Sequence, residues 1–514
     1  MQKKTLMVFD TTLRDGEQAA GSRLGIQSKL RIARQLEKLN VDVIEAGFPI
    51  SSPEDFKAVQ TISKEIRGPV ICGLTRAIPK DIDVCAEALA DARRSRIHTG
   101  IGVSDIHISG KFRDNKYGRT MIEKRKKIIE MSVKAVAHAS KYTNDIEFYA
   151  EDSGRADKKF LFEMVKAVID AGATVVNIPD TTGYAIPEQF GELIYEIMSN
   201  VTNIDKAVIS VHCHNDLGMS VANSLAAIKN GAGQVEGTIN GIGERAGNAA
   251  LEEVIMAIKT RPNYFNIDSN IVTNELYRAS RIVADSFAMP IPPNKAVVGK
   301  NAFCHSSGIH VDGFLKERET YEIMKPEDVG FPKSKVILTA RTGRHGVKHR
   351  LEELGFTFTK DELEQVYQRF LSVADKKLEV YDDDLQAIIN DEIHTVEEKY
   401  KLDYLHTVIG RNTAPSATVW MIVKDKTVQG SGCGDGPVDA VFKAINTVVG
   451  NSFKLIEYFI NAASEGTDAI GTVTIKLQKD ELTVIGKGSS TDIVEASAKA
   501  YINAINKICS YSKK

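Results

Sequence analysis

Two histidines separated by a single residue stand at the end of a β-rich run. They are His212 and His214, in the segment His212-Cys-His-Asn-Asp216. Residues two apart on a strand point to the same face, so both imidazoles can reach one ion. Two histidines with a carboxylate are a common ligand set for transition metals. The pair therefore predicts a metal site, with Asp15 as the favoured carboxylate and Asn248 as a candidate fourth ligand through its amide oxygen.

Mixed nitrogen and oxygen donors suit several divalent cations. Mn²⁺, Mg²⁺, Zn²⁺ and Co²⁺ all stay open, because the residue types alone do not separate them. The six cysteines of the chain are irregularly spaced and form no CxxC pair. This argues against a thiolate zinc site and against a disulfide framework, so we predict a reducing, cytoplasmic compartment.

The elements that must position these side chains are eight β-rich runs that alternate with helical stretches. Most runs are rich in Val and Ile, which is typical of strands buried on both faces. The runs are Leu6–Asp10, Val41–Ala46, Val70–Thr75, Ile97–Ser104, Ile146–Ala150, Thr174–Pro179, Ala207–His212 and Gln234–Asn240. Their number and spacing predict a catalytic (β/α)₈ barrel, a TIM barrel, over residues 1–275. A doubly wound sheet is the alternative from the pattern alone.

Polar residues occur at or after most of the predicted strands. In a parallel barrel the carboxyl ends of the strands meet at one rim, where functional residues cluster. The polar positions are Asp10–Gln18 after the first strand, His98 in the fourth, Glu151 and Asp152 after the fifth, Asp180–Thr182 after the sixth and Gly241–Asn248 after the eighth. Such a density of polar residues at one rim is hard to explain by packing, so it predicts a catalytic site there.

The rest of the chain reads as two further regions. A Pro-rich stretch, Met289–Asn294, breaks the β/α alternation, and we expect mainly helical linker subdomains over residues 276–395. Residues 396–514 are predicted to form an α+β regulatory domain with an internal repeat. Gly430–Ala444 aligns with Gly486–Ala500 at an offset of 56 residues. A repeat of this kind can bind a ligand at its pseudo-dyad or dimerise, and the sequence leaves both open.

The overall composition excludes several classes of protein. The 514 residues include 66 Lys and Arg against 68 Asp and Glu, a formal net charge of −2. This balance argues against a general nucleic-acid binder. The chain is 43% hydrophobic but has no apolar run of the roughly 20 residues that cross a bilayer. We therefore expect neither a nucleic-acid nor a membrane partner.

Three segments together resemble the 2-isopropylmalate synthase / homocitrate synthase / citramalate synthase family. They are Asp10-Thr-Thr-Leu-Arg-Asp-Gly-Glu-Gln18, His212-Cys-His-Asn-Asp216 and Asn240-Gly-Ile-Gly-Glu-Arg-Ala-Gly-Asn248. The similarity covers essentially the whole chain, including Ser306-Ser-Gly-Ile-His-Val-Asp-Gly313. Within the repeat, Gly-Pro-Val-Asp-Ala (436–440) and Thr-Asp-Ile-Val-Glu (491–495) resemble the leucine-binding regulatory domain of the family.

The resemblance implies an acyltransferase that joins the acetyl methyl of acetyl-CoA to the ketone of a 2-oxo acid. The expected oxo acid is 3-methyl-2-oxobutanoate, which would give 2-isopropylmalate and CoA in the first committed step of leucine biosynthesis. Leucine is then the expected allosteric inhibitor and a homodimer the expected assembly. The loop at 105–119, after the fourth strand, looks longer than in typical bacterial members. Pyruvate, the substrate of a citramalate synthase, is therefore the alternative.

The same resemblance implies roles for individual residues on the barrel rim. Arg14 would stabilise the developing oxyanion and bind substrate, and Thr181 would contact the substrate carboxylate. His98 and Glu151 would line the oxo-acid pocket, and Glu151 would also help steer the base. Glu244 would orient a ligand or position the water for thioester hydrolysis.

Two linker residues complete the set that the resemblance implies. His310 is the expected general base, since histidine titrates near neutral pH, and Tyr321 is expected to assist it. Both lie outside the barrel sequence, so the linker would have to reach a barrel mouth, which in the family happens across a dimer.

Three rival classes are less consistent with the sequence. A biotin-dependent carboxyltransferase would normally be accompanied by a Met-Lys-Met segment, which this chain does not contain. A hydroxymethylglutaryl-CoA lyase would carry a cysteine in the glycine-rich rim loop, where Gly241–Asn248 has Glu-Arg. A leucine sensor without catalysis could lose the metal and base residues, which are all present.

Overall fold

The computed structural model of the chain forms two compact units. The first consists of Met1–His305 and Gly313–Val336, and the second of Ser306–Asp312 and Ile337–Lys514. The structure describes residues 4–305, 307, 310, 313–314, 316–332, 335–336, 338–354, 356, 359–375, 380, 384–385, 388, 399–410, 413–462, 471–480 and 482–511.

Eight parallel strands close into a barrel in the first unit, which confirms the predicted (β/α)₈ fold. They are β1 (Lys4–Asp10), β2 (Val43–Glu45), β3 (Val70–Arg76), β4 (Ser95–Gly102), β5 (Ile146–Glu151), β6 (Val175–Asp180), β7 (Val208–Cys213) and β8 (Gln234–Gly237). Each strand pairs with the next, and β1 closes the ring by pairing with both β2 and β8. A ninth strand, β9 (Ile267–Ser269), pairs with the start of β1.

Most of the longer helices of the first unit bury one apolar face. In α6, the apolar positions Phe160, Leu161, Met164, Val165, Val168 and Ile169 recur at helical spacing and are all buried. The helices are α1 (Ile26–Leu39), α2 (Pro53–Glu65), α3 (Pro79–Ala88), α4 (Asp105–Lys111), α5 (Met121–Ala139), α6 (Lys158–Asp170), α7 (Pro187–Asn200), α8 (Ser220–Lys229), α9 (Leu251–Thr260), α10 (Pro262–Phe265) and α11 (Leu276–Phe287). Two residue pairs, β10 (Cys304–His305) and β11 (Lys335–Val336), form a short parallel ladder.

Two strands end two or three residues before the ends of the β-rich runs that predict them. The fourth strand stops at Gly102 because Ser104 caps α4, its hydroxyl accepting a hydrogen bond from the His107 amide. The eighth stops at Gly237 because Asn240 adopts a left-handed conformation (φ 65°) inside a 3₁₀ turn. In both places the chain leaves the barrel wall so that the following loop can form the rim.

The second unit contains helices and two three-stranded antiparallel sheets. Its elements are α12 (Arg344–Glu353), α13 (Lys360–Ala374), β12 (Tyr400–Gly410), β13 (Thr413–Val423), β14 (Lys426–Cys433), α14 (Pro437–Val449), β15 (Lys454–Ala462), β16 (Gly471–Lys479), β17 (Leu482–Ser490) and α15 (Ile493–Tyr511). The order strand-strand-strand-helix occurs twice, which confirms the internal repeat. Among the helices of the described ranges, none has both the length and the apolar content needed to cross a membrane.

The repeat extends to the contacts between sheet and helix. A Cβ placed on Gly430 of β14 would lie 2.4 Å from the carbonyl oxygen of Ala444 in α14. A Cβ on Gly486 of β17 would lie 2.1 Å from the carbonyl oxygen of Ala500 in α15. Both pairs are separated by the 56-residue offset of the repeat. Glycine is therefore required at these positions because the helix backbone lies directly on the strand.

We predict that Gly486→Ala destabilises the second unit by about 1–3 kcal/mol, because α15 must move off β17 to admit the methyl group. The only tryptophan of the chain, Trp420 in β13, lies in this unit, so its fluorescence reports unfolding by urea. The matched control is Gly436→Ala, where a Cβ meets no atom within 4 Å. The urea midpoint should fall for Gly486→Ala only; equal midpoints would contradict the close approach.

Candidate active site at the carboxyl end of the barrel

Three of the predicted metal ligands meet in one buried cluster. His212 lies near the end of β7 and His214 directly after it, and their Nε2 atoms are 3.2 Å apart. Asp15, in the loop after β1, places its Oδ2 3.9 Å from Nε2 of His212. Carboxylate and imidazole atoms of all three residues converge within metal-ligand range. The strand spacing thus brings both histidines to one point, as predicted.

The fourth predicted ligand, Asn248, is adjacent to this cluster. It pairs with His214 in an antiparallel bridge, and its side-chain amide donates hydrogen bonds to Asp15 Oδ1 (2.7 Å) and to the Ile242 carbonyl (3.1 Å). Its own Oδ1 is buried and has no hydrogen-bond partner among the residues that the structure describes. A buried acceptor without a donor is costly, and a cation would satisfy it.

The loop that carries Asn248 approaches the cluster through a glycine. A Cβ on Gly243 would fall 2.0 Å from the Asn248 side-chain nitrogen and 2.8 Å from Asp15 Oδ1. The backbone of Gly243 has φ 157°, which also favours glycine. The glycine therefore leaves room for the ligand side chains beside the loop.

Protonation states in the cluster fit a divalent cation. Burial lowers the pKa of His212 and of His214 to about 4, so both imidazoles are neutral and can donate a lone pair at neutral pH. Burial opposes ionisation of Asp15, but the charge of Arg14 outweighs it, joined in acid by the charges of the two histidines once they are protonated, and the pKa of that carboxyl lies well below its usual range. Two neutral nitrogens, one carboxylate and one amide oxygen are a donor set for Mn²⁺, Mg²⁺, Zn²⁺ or Co²⁺.

Arg14 joins the cluster to a second carboxylate. Its Nη1 donates to Asp15 Oδ2 and its Nε to Glu45 Oε2, both at 2.6 Å. Glu45 ends β2 and also accepts from the Thr11 hydroxyl at 2.6 Å. Burial opposes the charge on Glu45, yet Arg14 and His98 outweigh it and lower its pKa to about 2. Arg14 is thus held as a cation beside the cluster.

Glu45 was not among the residues predicted from the sequence. The signal was a single carboxylate inside an otherwise apolar β-rich run, Val41–Ala46, whose strand is buried throughout. A charged residue in such a strand must have a partner, and the Glu45 carboxylate has three: Arg14, Thr11 and His98.

His98 lies inside the barrel wall rather than on the open rim. Only 1% of it is exposed, its Nδ1 is 2.8 Å from Glu45 Oε1, and its ring packs edge-on against Phe9 and Tyr149. The structure therefore connects His98 to Arg14 through Glu45. Its contact with an oxo acid stays a prediction.

Glu151 and Thr181 lie at the ends of neighbouring strands. Glu151 Oε2 accepts from Lys111 Nζ of α4 at 2.6 Å and lies 3.6 Å from Nδ1 of His107. Thr181 accepts a hydrogen bond from the Asp152 amide at 2.9 Å through its hydroxyl. Lys111 and His107 were not singled out individually in the sequence, although the loop that carries them was.

Glu244 is exposed, and its amide lies 3.4 Å from Asp15 Oδ1. The neighbouring Arg245 forms two hydrogen bonds to Asp216, at 2.8 and 2.9 Å, and a third to the Thr181 carbonyl at 2.8 Å. Arg245 therefore ties together the loops after β6, β7 and β8.

The two predicted linker residues fall in different units. Tyr321 belongs to the first unit, is 40% exposed and follows a 3₁₀ turn; a Cβ on Gly313 would lie 2.5 Å from its ring. His310 is exposed and belongs to the second unit. Their roles stay predictions.

Comparison with known families covers nearly the whole chain. Residues 5–283 match the HMGL-like family, residues 297–378 the homocitrate synthase post-HMGL domain-like family, and residues 379–509 the LeuA allosteric (dimerisation) domain. These three stretches contain, in order, the barrel, the α12–α13 region and the two sheet repeats.

Individual relatives are similar to this chain over nearly the whole length of both proteins. The chain is 51% identical to the 2-isopropylmalate synthase of Pelotomaculum thermopropionicum, covering 99% of each chain. It is 52% identical to that of Carboxydothermus hydrogenoformans, covering 98% of this chain and 97% of the relative. It is 48% identical to that of Pyrococcus furiosus, covering 98% of this chain and 99% of the relative. On this similarity, and with the cluster that the structure assembles, the chain belongs to the 2-isopropylmalate synthase family.

Proposed function

We propose that the chain condenses acetyl-CoA with 3-methyl-2-oxobutanoate to give 2-isopropylmalate and CoA, the first committed step of leucine biosynthesis. The observation that carries this proposal is the Asp15–His212–His214 cluster with Arg14 beside it, at the carboxyl end of the barrel in a member of this family. The name shared by the three relatives supports the branched oxo acid over pyruvate.

The cluster accounts for activation of the ketone. We assign Asp15, His212, His214 and Asn248 as the residues that hold the metal, and Mn²⁺ or Mg²⁺ as the ion. When bound, the ion would polarise the ketone and offset the negative charge that develops on its oxygen.

Several rim residues would act on the oxo acid itself. Arg14 is held as a cation between two carboxylates and would stabilise the same developing oxyanion. We assign His98, Glu151 and Thr181 to the oxo-acid pocket and its carboxylate. Thr181 can still donate its hydroxyl hydrogen, since its oxygen acts as an acceptor toward the Asp152 amide.

Carbon–carbon bond formation needs removal of a proton from the acetyl methyl. We assign this step to His310, assisted by Tyr321, with Glu151 helping to orient the base. The methyl carbon, which keeps the electron pair of the broken C–H bond, then bonds to the ketone carbon. The π bond of the ketone breaks, its electron pair moves to the oxygen, and that oxygen takes up a proton. Water, positioned by Glu244, finally adds to the thioester carbonyl carbon, and the C–S bond breaks to give a carboxylate, the CoA thiol and a proton.

The three regions would divide these tasks. We propose that residues 1–275 carry out the condensation, that residues 276–395 supply the base, and that residues 396–514 bind leucine and hold a homodimer. The match of residues 379–509 to the LeuA allosteric (dimerisation) domain supports the last assignment.

The reaction itself is tested by release of free CoA, measured with a thiol reagent. Chelation should abolish the release, and Mn²⁺ or Mg²⁺ should restore it, because the ketone is not polarised without an ion. We expect 3-methyl-2-oxobutanoate to be consumed faster than pyruvate or 2-oxoglutarate. A preference for pyruvate would keep the mechanism and change the substrate; no release with any oxo acid would reject the condensation.

We expect His212→Gln to lower kcat on the order of 10³-fold, since loss of a ligand removes several kcal/mol of charge stabilisation. His138→Gln is the control, because His138 lies in α5 and contacts Asp83 instead of the cluster. Metal content by mass spectrometry should fall for His212→Gln alone. Unchanged metal content and turnover in that variant would exclude His212 as a ligand.

Leucine should both inhibit CoA release and stabilise the second unit. A ligand at 100 times its Kd stabilises the folded state by about 2.7 kcal/mol, which would move the urea midpoint of Trp420 fluorescence upward. Alanine at the same concentration serves as the control. If leucine changes neither the rate nor the midpoint, the repeat does not bind it.

A further inference from the structure

A chain of buried polar side chains fills the barrel interior next to His212. Each residue has at most 4% of its surface exposed. The members of this interior chain are Arg96 on β4, Glu147 on β5, Ser210 on β7, and Gln234 and Glu236 on β8. The metal, the substrates and the general base assigned above use none of them.

The interior chain is continuous through hydrogen bonds. Arg96 Nη1 donates to Glu147 Oε2 at 2.9 Å and to Gln234 Oε1 at 2.8 Å. Gln234 Nε2 donates to Glu147 Oε1 at 2.8 Å and to the Ser210 oxygen at 2.9 Å. Ser210 in turn donates to Glu236 Oε1 at 2.8 Å. One carboxylate oxygen of Glu236, Oε1, is therefore held by the interior chain through Ser210.

The other carboxylate oxygen of Glu236 faces a metal-ligand residue. Its Oε2 is 3.3 Å from Nδ1 of His212, and the two residues are register partners on β7 and β8. Both atoms are buried, and neither has a hydrogen-bond partner within the described ranges. For His212 to offer a lone pair at Nε2, its ring proton must be on Nδ1, where it needs an acceptor.

We propose that Glu236 is a positioning residue for His212. Its Oε2 accepts the Nδ1 hydrogen of the imidazole, which fixes the tautomer and directs Nε2 toward Asp15 and His214. The interior chain supplies the rigidity, because Ser210 donates to the other oxygen and is itself held by a hydrogen bond from Gln234. This inference rests on the proposed metal site and on no particular oxo acid.

A competing use of the same residue is a second cation site. Ligand atoms of His98, Glu147 and Glu236 lie within 4.8 Å of one another, and Nε2 of His98 is buried without a hydrogen-bond partner in the described residues. Against this, both oxygens of Glu147 already accept hydrogen bonds and the Arg96 guanidinium adjoins them, which disfavours a further positive charge.

The test is titration of the metal-free, full-length protein with Co²⁺, whose visible absorption reports ligand geometry. Glu236→Ala should weaken Co²⁺ binding about 10- to 100-fold and shift the absorption spectrum. Glu236→Gln should restore most of the affinity, because its amide oxygen can still accept the Nδ1 hydrogen. Glu252→Gln is the control: it removes another buried barrel carboxylate, which pairs with Lys295 instead of His212.

Each alternative result has a distinct meaning. Wild-type affinity and spectrum in Glu236→Ala would overturn the proposal, as would equal losses in Glu236→Gln and Glu252→Gln, which would indicate general destabilisation. Two Co²⁺ ions per wild-type chain, with one lost in Glu236→Ala, would make Glu236 a ligand of a second ion. If the variants bind Co²⁺ as expected but no oxo acid leads to CoA release by the wild type, the proposed function is rejected and the positioning role of Glu236 stands.

Discussion

The shared ion pair of Arg14 is the interaction on which the candidate site depends. Asp15 and Glu45 are both buried, and either carboxylate alone would be driven toward its neutral form. One guanidinium between them keeps both charged at bonds of 2.6 Å. Because Glu45 belongs to β2 and Asp15 to the loop after β1, this contact also fixes how the first two strands present their ends. The cost of burying these charges is offset only while all three groups are in place.

Much of this arrangement could be predicted from the sequence. The period-two spacing of His212 and His214 determines their common direction on any strand, and the number and spacing of the eight β-rich runs favour a barrel over the doubly wound alternative. Glu45 and Glu236 were missed because a single acidic residue in an apolar run shows no local pattern. Their partners lie on neighbouring elements, with Arg14 in the loop after β1 and 31 residues from Glu45, so these contacts form only when adjacent strands pair.

Strand ends were less predictable for a related reason. The predicted β-rich runs extend to Ser104 and Asn240. The strand pairing stops earlier, because the Ser104 hydroxyl caps a helix and Asn240 adopts a left-handed conformation. Side-chain capping competes with sheet pairing at these positions, and composition does not record which one prevails. The rim loops consequently begin two or three residues earlier than the sequence pattern indicates.

The two copies of the sheet-and-helix repeat in the second unit can be compared residue by residue at their offset of 56. Gly430 and Gly486 are the same residue because a helix backbone leaves no room for another, and the i,i+4 ion pair of α14, Asp439 with Lys443, is matched by Glu495 with Lys499 in α15. Other positions differ between the two copies, such as Ile445 in α14 and Tyr501 in α15. A single chain thus serves as its own two-sequence alignment, in which the shared glycines mark a steric requirement and the matched ion pairs mark a retained pairing of charges.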